Sequence, residues 1–255
     1  SPLTRRAFSP ADLANPEMNL CAAAQETSIL TQAGLNIVTF DNNHKSDCSA
    51  NGIILTQQLL AEAGFLLFEE RNGIWVSTNS ESNLAIISME DVSSPVNEKA
   101  VVDVIRDFKT SGHFVVVSIH WGNEYQAGPD ERQQTLAQTW VDAGADIIWG
   151  HHPHVLQRVD WLTSTMDSHT ALVMYCLGNL MADQFMLKDA QHSALIRVEI
   201  KGSQIKKVTV IPVVFDWGHL SWDLKPEAET AARIVERLGV KPFKSVKIDV
   251  FSSGN

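Results

Sequence analysis

The sequence predicts an α/β fold in one domain, with two β-sheets flanked by helices. Three features carry that expectation. Strand-like apolar runs alternate with helical patterns from Glu17 to Trp149. Ala-Gly pairs punctuate the alternation, at Ala33-Gly34, Ala63-Gly64 and Ala143-Gly144. Beyond Trp149, strand-like runs follow one another with no helical pattern between them. The alternation implies βαβ units and a mostly parallel sheet. The later run of strands implies a second, more antiparallel sheet.

Each element has a local reason. Glu17 to Ala33 is Ala-rich, lacks Gly and Pro, and stops at Gly34, which predicts a helix. Leu35 to Phe40 reads as a short strand, and Gly52 to Ala63 as a helix stopped by Gly64. Leu84 to Ser88 predicts a strand. Asn97 to Lys109 predicts a helix with Val101, Val104, Ile105 and Phe108 on one face. Phe114 to Ile119 reads as a strand, Asp130 to Ala143 as a helix, and Asp146 to Trp149 as a buried strand. Val155 to Leu162, Ala171 to Leu177, Ala194 to Ile200 and Ile205 to Phe215 read as strands, and Pro226 to Leu238 as the last helix. No Pro-, Gly- or Ser-rich linker divides the halves. Residues 1–248 therefore read as a single domain and 249–255 as a frayed tail.

Composition limits the function. The 255 residues carry 30 acidic and 20 basic side chains, a net charge of −10. Gripping nucleic-acid phosphates needs clustered Lys and Arg, so a nucleic-acid partner is excluded. No stretch approaches the roughly 18 apolar residues of a membrane span, so any membrane link would run through a segment outside this chain. Cys21, Cys48 and Cys176 read as too few and too scattered for a disulfide framework or a Cys-based zinc site. Cys48, near the Asn-His cluster, reads as a bystander, with a thiol ligand as the alternative, and Cys176 reads as core. The chain has no Gly-x-Ser-x-Gly elbow, P-loop or Gly-x-Gly-x-x-Gly run.

The chemistry collects where predicted strands end. Phe40 leads into Asp41-Asn42-Asn43-His44 and then Asp47; Ile119 leads into His120-Trp121-Gly122-Asn123-Glu124-Tyr125. Trp149 leads into Gly150-His151-His152-Pro153-His154, and Leu177 into Gly178-Asn179, with Asp183 and Gln184 beyond. Ligand sites of open α/β sheets lie outside the carboxyl ends of parallel strands, so these clusters converge on one rim. Five of the nine histidines stand in them. An extended His152-Pro153-His154 would aim both imidazoles to one side, toward one or two cations. A His-rich turn explains that tripeptide equally well by itself; His120 and Asn43-His44 at neighbouring strand ends favour the metal. An imidazole beside a metal can protonate a leaving group, which fits His44, with Asp47 fixing its tautomer. Glu124 is a ligand, a general base or a solvated carboxylate. Trp121 and Tyr125 are pocket-wall candidates.

These clusters, in this order and with Val155-Leu156-Gln157 and Tyr175-x-Leu177-Gly178-Asn179 attached, resemble the CapA family. Its members are capsule-synthesis proteins associated with poly-γ-glutamate, with a calcineurin-like metallophosphoesterase fold. The resemblance runs from Ser1 to about Phe215 and includes the linking Asp142 to Ile148 segment. It implies a sandwich of two β-sheets flanked by helices. It implies Asn43, His120, His152 and His154 as metal ligands, and His44 with Asp47 as the catalytic pair. His151 matches a variable position and takes at most a supporting role. Trp121, Glu124, Tyr125 and Asn179 are the substrate-contact candidates. The implied cofactor is a divalent metal, two ions of Mn, Fe or Zn in the full-length protein.

The chain departs from the family pattern at its start. Ser1-Pro2-Leu3-Thr4 looks like the family sequence with everything before Ser-Pro-Leu removed, so the fold is expected to lack its first strand and the site two acidic ligands. Asp41, Asp47 or Glu124 would then have to substitute. Leu180 stands where the family often has Phe. Two functions stay open. One is a metal-dependent hydrolase or phosphoesterase-like enzyme acting on an anionic polymer or a phosphoester in poly-γ-glutamate handling. The other is a non-catalytic component that binds metal, polymer or other capsule-synthesis proteins. The implied location is the cell envelope.

Overall fold

The computed structural model describes residues 3–4, 20–182, 184, 187–216, 219, 221–243 and 246–250. Strands β1 (Leu3–Thr4) and β2 (Ala22–Ala23) pair in parallel. The expected helix from Glu17 to Ala33 is mostly absent from the described residues: Ala24–Glu26 form a 3-10 turn and only α1 (Thr27–Gln32) is α-helical. The reason is tertiary. A Cys21–Cys48 disulfide ties the start of this segment to another loop, and Ala22 and Ala23 join a ladder instead.

Leu35 to Phe40 joins no ladder, against expectation. Its apolar side chains are used differently: Phe40 and Val38 pack with Leu60 and Ile53 of α2 (Ser49–Glu62) and with Trp75. An apolar run records burial, and here a helix rather than a neighbouring strand provides it.

The main sheet has seven strands. β3 (Glu69–Arg71), β4 (Ile74–Asn79) and β5 (Leu84–Glu90) form an antiparallel edge. The β3–β4 hairpin turns at Asn72-Gly73, both at positive φ (55° and 80°), where Asn-Gly is the favoured pair. That dipeptide was a legible hairpin signal. After α3 (Glu98–Thr110) come β6 (Phe114–His120), α4 (Glu131–Ala143) and β7 (Ile147–His151), followed by β8 (Val159–Thr163) and β9 (Thr170–Met174). The order is β3-β4-β5-β6-β7-β9-β8, and β5, β6, β7 and β9 are mutually parallel. The four expected strands between Val155 and Phe215 are found with shifted bounds; the first begins at Val159, after an isolated Leu156–Leu177 bridge.

Helices α3 and α4 cover one face. Val101, Ile105, Leu136 and Trp140 pack on Val117, Ile119 and Ile148 in a dry layer. Asn97 caps α3, and Asp130 with Gln133 forms a capping box on α4. The second sheet, β10 (His192–Lys201), β11 (Gln204–Asp216), β12 (Ser221–Asp223) and β13 (Lys247–Val250), packs on the other face with α5 (Ala228–Leu238). Val208, Val210, Ile234 and Leu238 meet Ile147, Leu172 and Met174 there. β10 and β11 are antiparallel, as expected. Asp249 and Val250 do not fray: they pair with Thr209 and Val210. Residues 251–255 lie outside the described residues.

Candidate metal centre

Parallel β5, β6 and β7 end in register at Glu90, His120 and His151. The carboxyl rim therefore gathers their side chains and the loops that follow. Asn43 reaches the rim from the turn after Phe40, with its Oδ1 3.0 Å from His120 Nε2. Two donors of one cation, each about 2.1 Å from it, stand roughly 3 Å apart, so this spacing suits a shared ion. The His120 and His152 ring centroids are 4.8 Å apart. Glu124, His152 and His154 offer ligand atoms that all lie within 4.8 Å of one another.

The histidine pair is brought together in a way not expected. His152 and His154 are not extended: both have positive φ, 95° and 62°. Pro153 does keep His152 out of the helical region, but two left-handed residues make the turn. Such residues cost about 1–3 kcal/mol each and persist where the surroundings over-determine them. Tyr125 N–H donates to Pro153 O at 2.8 Å, and Tyr125, itself at φ 61°, stacks on His154.

His154 is oriented from behind. Its Nδ1 lies 2.8 Å from Asn179 Oδ1, leaving Nε2 toward Glu124 Oε1 at 3.7 Å. An outer carbonyl on one ring nitrogen is the usual partner of a metal-bound imidazole. Asn179 is thereby committed to protein: its Nδ2 donates to Gln184 Oε1. Both ends of its amide are therefore engaged, one by His154 and the other by Gln184. Asp183 lies outside the described residues.

Burial favours the neutral form of these imidazoles. Burial, then the neighbouring histidines, pushes His120 down to about 2. Burial also lowers His152, with His154 adding to it, and takes His151 down to about 4. Neutral rings are the metal-binding form, so the donor set suits a divalent cation without proton release.

His44 and Asp47 form the expected pair, Nδ1 to Oδ2 at 2.9 Å, and Asp47 Oδ2 also accepts the Leu20 N–H. Of the carboxylates considered as charge donors, Glu124 stands with the histidines. Asp41 is buried against Lys45 Nζ at 2.6 Å, and burial raises its carboxyl despite that partner. Glu90, not singled out from sequence, is buried 3.6 Å from the same ammonium and caps Val92 and Ser93 N–H groups. It ends an apolar strand, so the strand-end rule that found His120 would have found it.

Trp121 is a correction. It has no exposed surface: its ring stacks between Trp140 and Tyr175, and its Nε1 donates to Tyr175 O at 3.0 Å. Gly150 makes room for this. A Cβ there would stand 2.1 Å from Tyr175 O and 2.2 Å from Trp121 Nε1. Buried Gln133 and Gln157, joined at 3.1 Å, tie α4 to the loop after β7, and Gln157 holds Gln126 O. Cys48 is disulfide-bonded, which removes it as a thiol ligand. A cavity of about 580 Å³ opens beside Asn43 and His152, walled by Asp91, Glu124, Asp130 and Arg132.

A helix-flanked seven-stranded mixed sheet carrying its side-chain cluster at the carboxyl rim defines the protein as one of the calcineurin-like fold. Within that class the chain belongs to the bacterial capsule synthesis protein family PGA_cap, matching it over residues 6–184. It is similar to the PGA biosynthesis protein CapA of Bacillus subtilis (strain 168), 28% identical over 220 residues, covering 78% of this chain and 56% of that protein. It is also similar to the capsule biosynthesis protein CapA of Bacillus anthracis, 30% identical over 223 residues, covering 78% and 53%. The chain thus spans about half the length of these relatives.

Proposed function

We propose that the rim binds divalent metal and that the protein is a metal-dependent, phosphoesterase-like hydrolase of capsular poly-γ-glutamate biosynthesis. The convergence of Glu124, His152 and His154 supports this reading above all. Asn43 and His120 would hold the same ion or a second one, of Mn, Fe or Zn. Bound metal would supply activated water and polarise the attacked group. His44, held by Asp47, carries the proton to the leaving group. Tyr125, 43% exposed, offers a face to the substrate, an anionic polymer or a phosphoester. The names of the relatives support the capsule setting and the cell envelope. The Cys21–Cys48 disulfide suits an oxidising compartment. Among the described residues no helix is long and apolar enough to cross a membrane.

A second reading, a non-catalytic polymer- or partner-binding component, draws on Lys45. Its ammonium already occupies the buried carboxylates Asp41 and Glu90, leaving Glu124 as the acidic donor with the histidines. Wild-type and His152→Ala protein, loaded with Mn²⁺, would be assayed for bound metal and for cleavage of poly-γ-glutamate and a phosphodiester. Loss of metal and turnover together in the variant supports the enzyme. Metal uptake by the wild type with no cleavage of either substrate leaves the binding component.

A further inference from the structure

Asn43 is carried by a segment, residues 35–43, that pairs with neither sheet, whereas His120 ends β6 and His152 directly follows the adjacent β7. The spacing of the rim therefore depends on what fastens that segment to the main sheet. A buried hydroxyl provides a link. Thr39 Oγ1 lies 3.3 Å from Ser118 Oγ, and Ser118 Oγ lies 3.2 Å from His151 Nε2. Ser118 is 2% exposed. It stands two residues before His120 on β6, so the two side chains share a sheet face. The His151 ring is also braced by Trp149, with centroids 4.5 Å apart. One hydroxyl has one proton and two lone pairs, so Ser118 can donate to His151 and accept from Thr39 together.

We infer that Thr39, Ser118 and His151 form a positioning relay that sets the distance between the Asn43 loop and the His152-Pro153-His154 turn. None of the three is a ligand in this arrangement. The consequence for metal rests on the reading proposed above; the fastening itself does not. Removing the Ser118 hydroxyl leaves two partners unsatisfied on a mostly buried face, and the unladdered segment is the part free to move.

The test uses Ser118→Ala, Thr39→Ala, the conservative Thr39→Ser, and His151→Ala. Hydrogen exchange over residues 39–45 is measured in chelator, and Mn²⁺ affinity by equilibrium dialysis. Both hydroxyl deletions should speed exchange there about tenfold, leave β5 and β6 protected, and weaken Mn²⁺ binding about tenfold, a usual effect of outer-layer partners. Thr39→Ser should restore both. Wild-type exchange in Ser118→Ala and Thr39→Ala would overturn the relay. So would Mn²⁺ lost in His151→Ala but retained in Ser118→Ala, which would make His151 a ligand. If the wild type takes up no Mn²⁺, the metal reading fails and exchange alone decides the relay.

Discussion

His154 and Asn179 are joined from Nδ1 to Oδ1 at 2.8 Å, which turns the other ring nitrogen toward Glu124. That bond selects the tautomer and the ring plane together. Asn179→Ala should therefore weaken Mn²⁺ binding by about 10- to 100-fold. Equilibrium dialysis with a circular-dichroism control for folding checks this. Wild-type affinity would remove Asn179 from the centre.

The His44–Asp47 pair carries the proton-transfer part of the proposed chemistry. His44→Ala should lower turnover by about 10²- to 10⁴-fold, the usual contribution of a positioned acid or base. Metal content should stay at the wild-type level, because His44 is not placed as a ligand. Asp47→Asn should cost less, since the ring remains. Metal and rate falling together in His44→Ala would reassign it as a ligand.

Gly150 sits where a side chain has no room, with Tyr175 O and Trp121 Nε1 both inside 2.5 Å of its would-be Cβ. Neither neighbour is a flexible chain end. Gly150→Ala should destabilise by about 1–3 kcal/mol or more through overpacking. For a domain of this size the thermal midpoint should fall by several degrees, about 2–4 °C per kcal/mol. An unchanged midpoint would mean that Trp121 can move from its stack.

The cysteines divide sharply. Burial pushes the Cys176 thiol up to about 11, so at pH 8 it stays protonated and unreactive; the thiolate is the nucleophile. Cys21 and Cys48 are oxidised. Ellman titration at pH 8 should find no reactive thiol in the native protein, one after denaturation alone, and three after denaturation with reductant. Three thiols in the denatured, unreduced protein would show that the bridge is absent. Cys48→Ser should cost about 3–4 kcal/mol of stability by the chain-entropy estimate for a bridge of this span.

The rim was largely legible because it depends on local rules. Strand ends place polar residues at one edge, so His120, His152 and Glu124 could be expected near one another, and an Asp three residues after His44 could be expected to hold it; Asn43 reaches the rim although the run before it forms no strand. Trp121 shows the limit. It stands next to His120, yet successive residues on a strand point to opposite faces, and its face is the one that α4 covers. Asn179 shows another: nothing in its neighbours says that its amide turns back onto His154. Glu90 and the Asn72-Gly73 hairpin were readable by the same rules that found the other elements.

Local patterns along the chain already specify the βαβ order, the parallel strands, the carboxyl rim and the residue types gathered there. Those follow from hydrophobic period, Gly stops and strand direction, which act over a few residues. Long-range packing sets the rest: Leu35 to Phe40 packs under α2 without a ladder, Cys21 joins Cys48, and two residues at positive φ turn His152 and His154 toward Glu124. Those outcomes depend on partners distant in sequence. A local pattern records that a side chain is buried, but the partner that buries it is set by the folded chain.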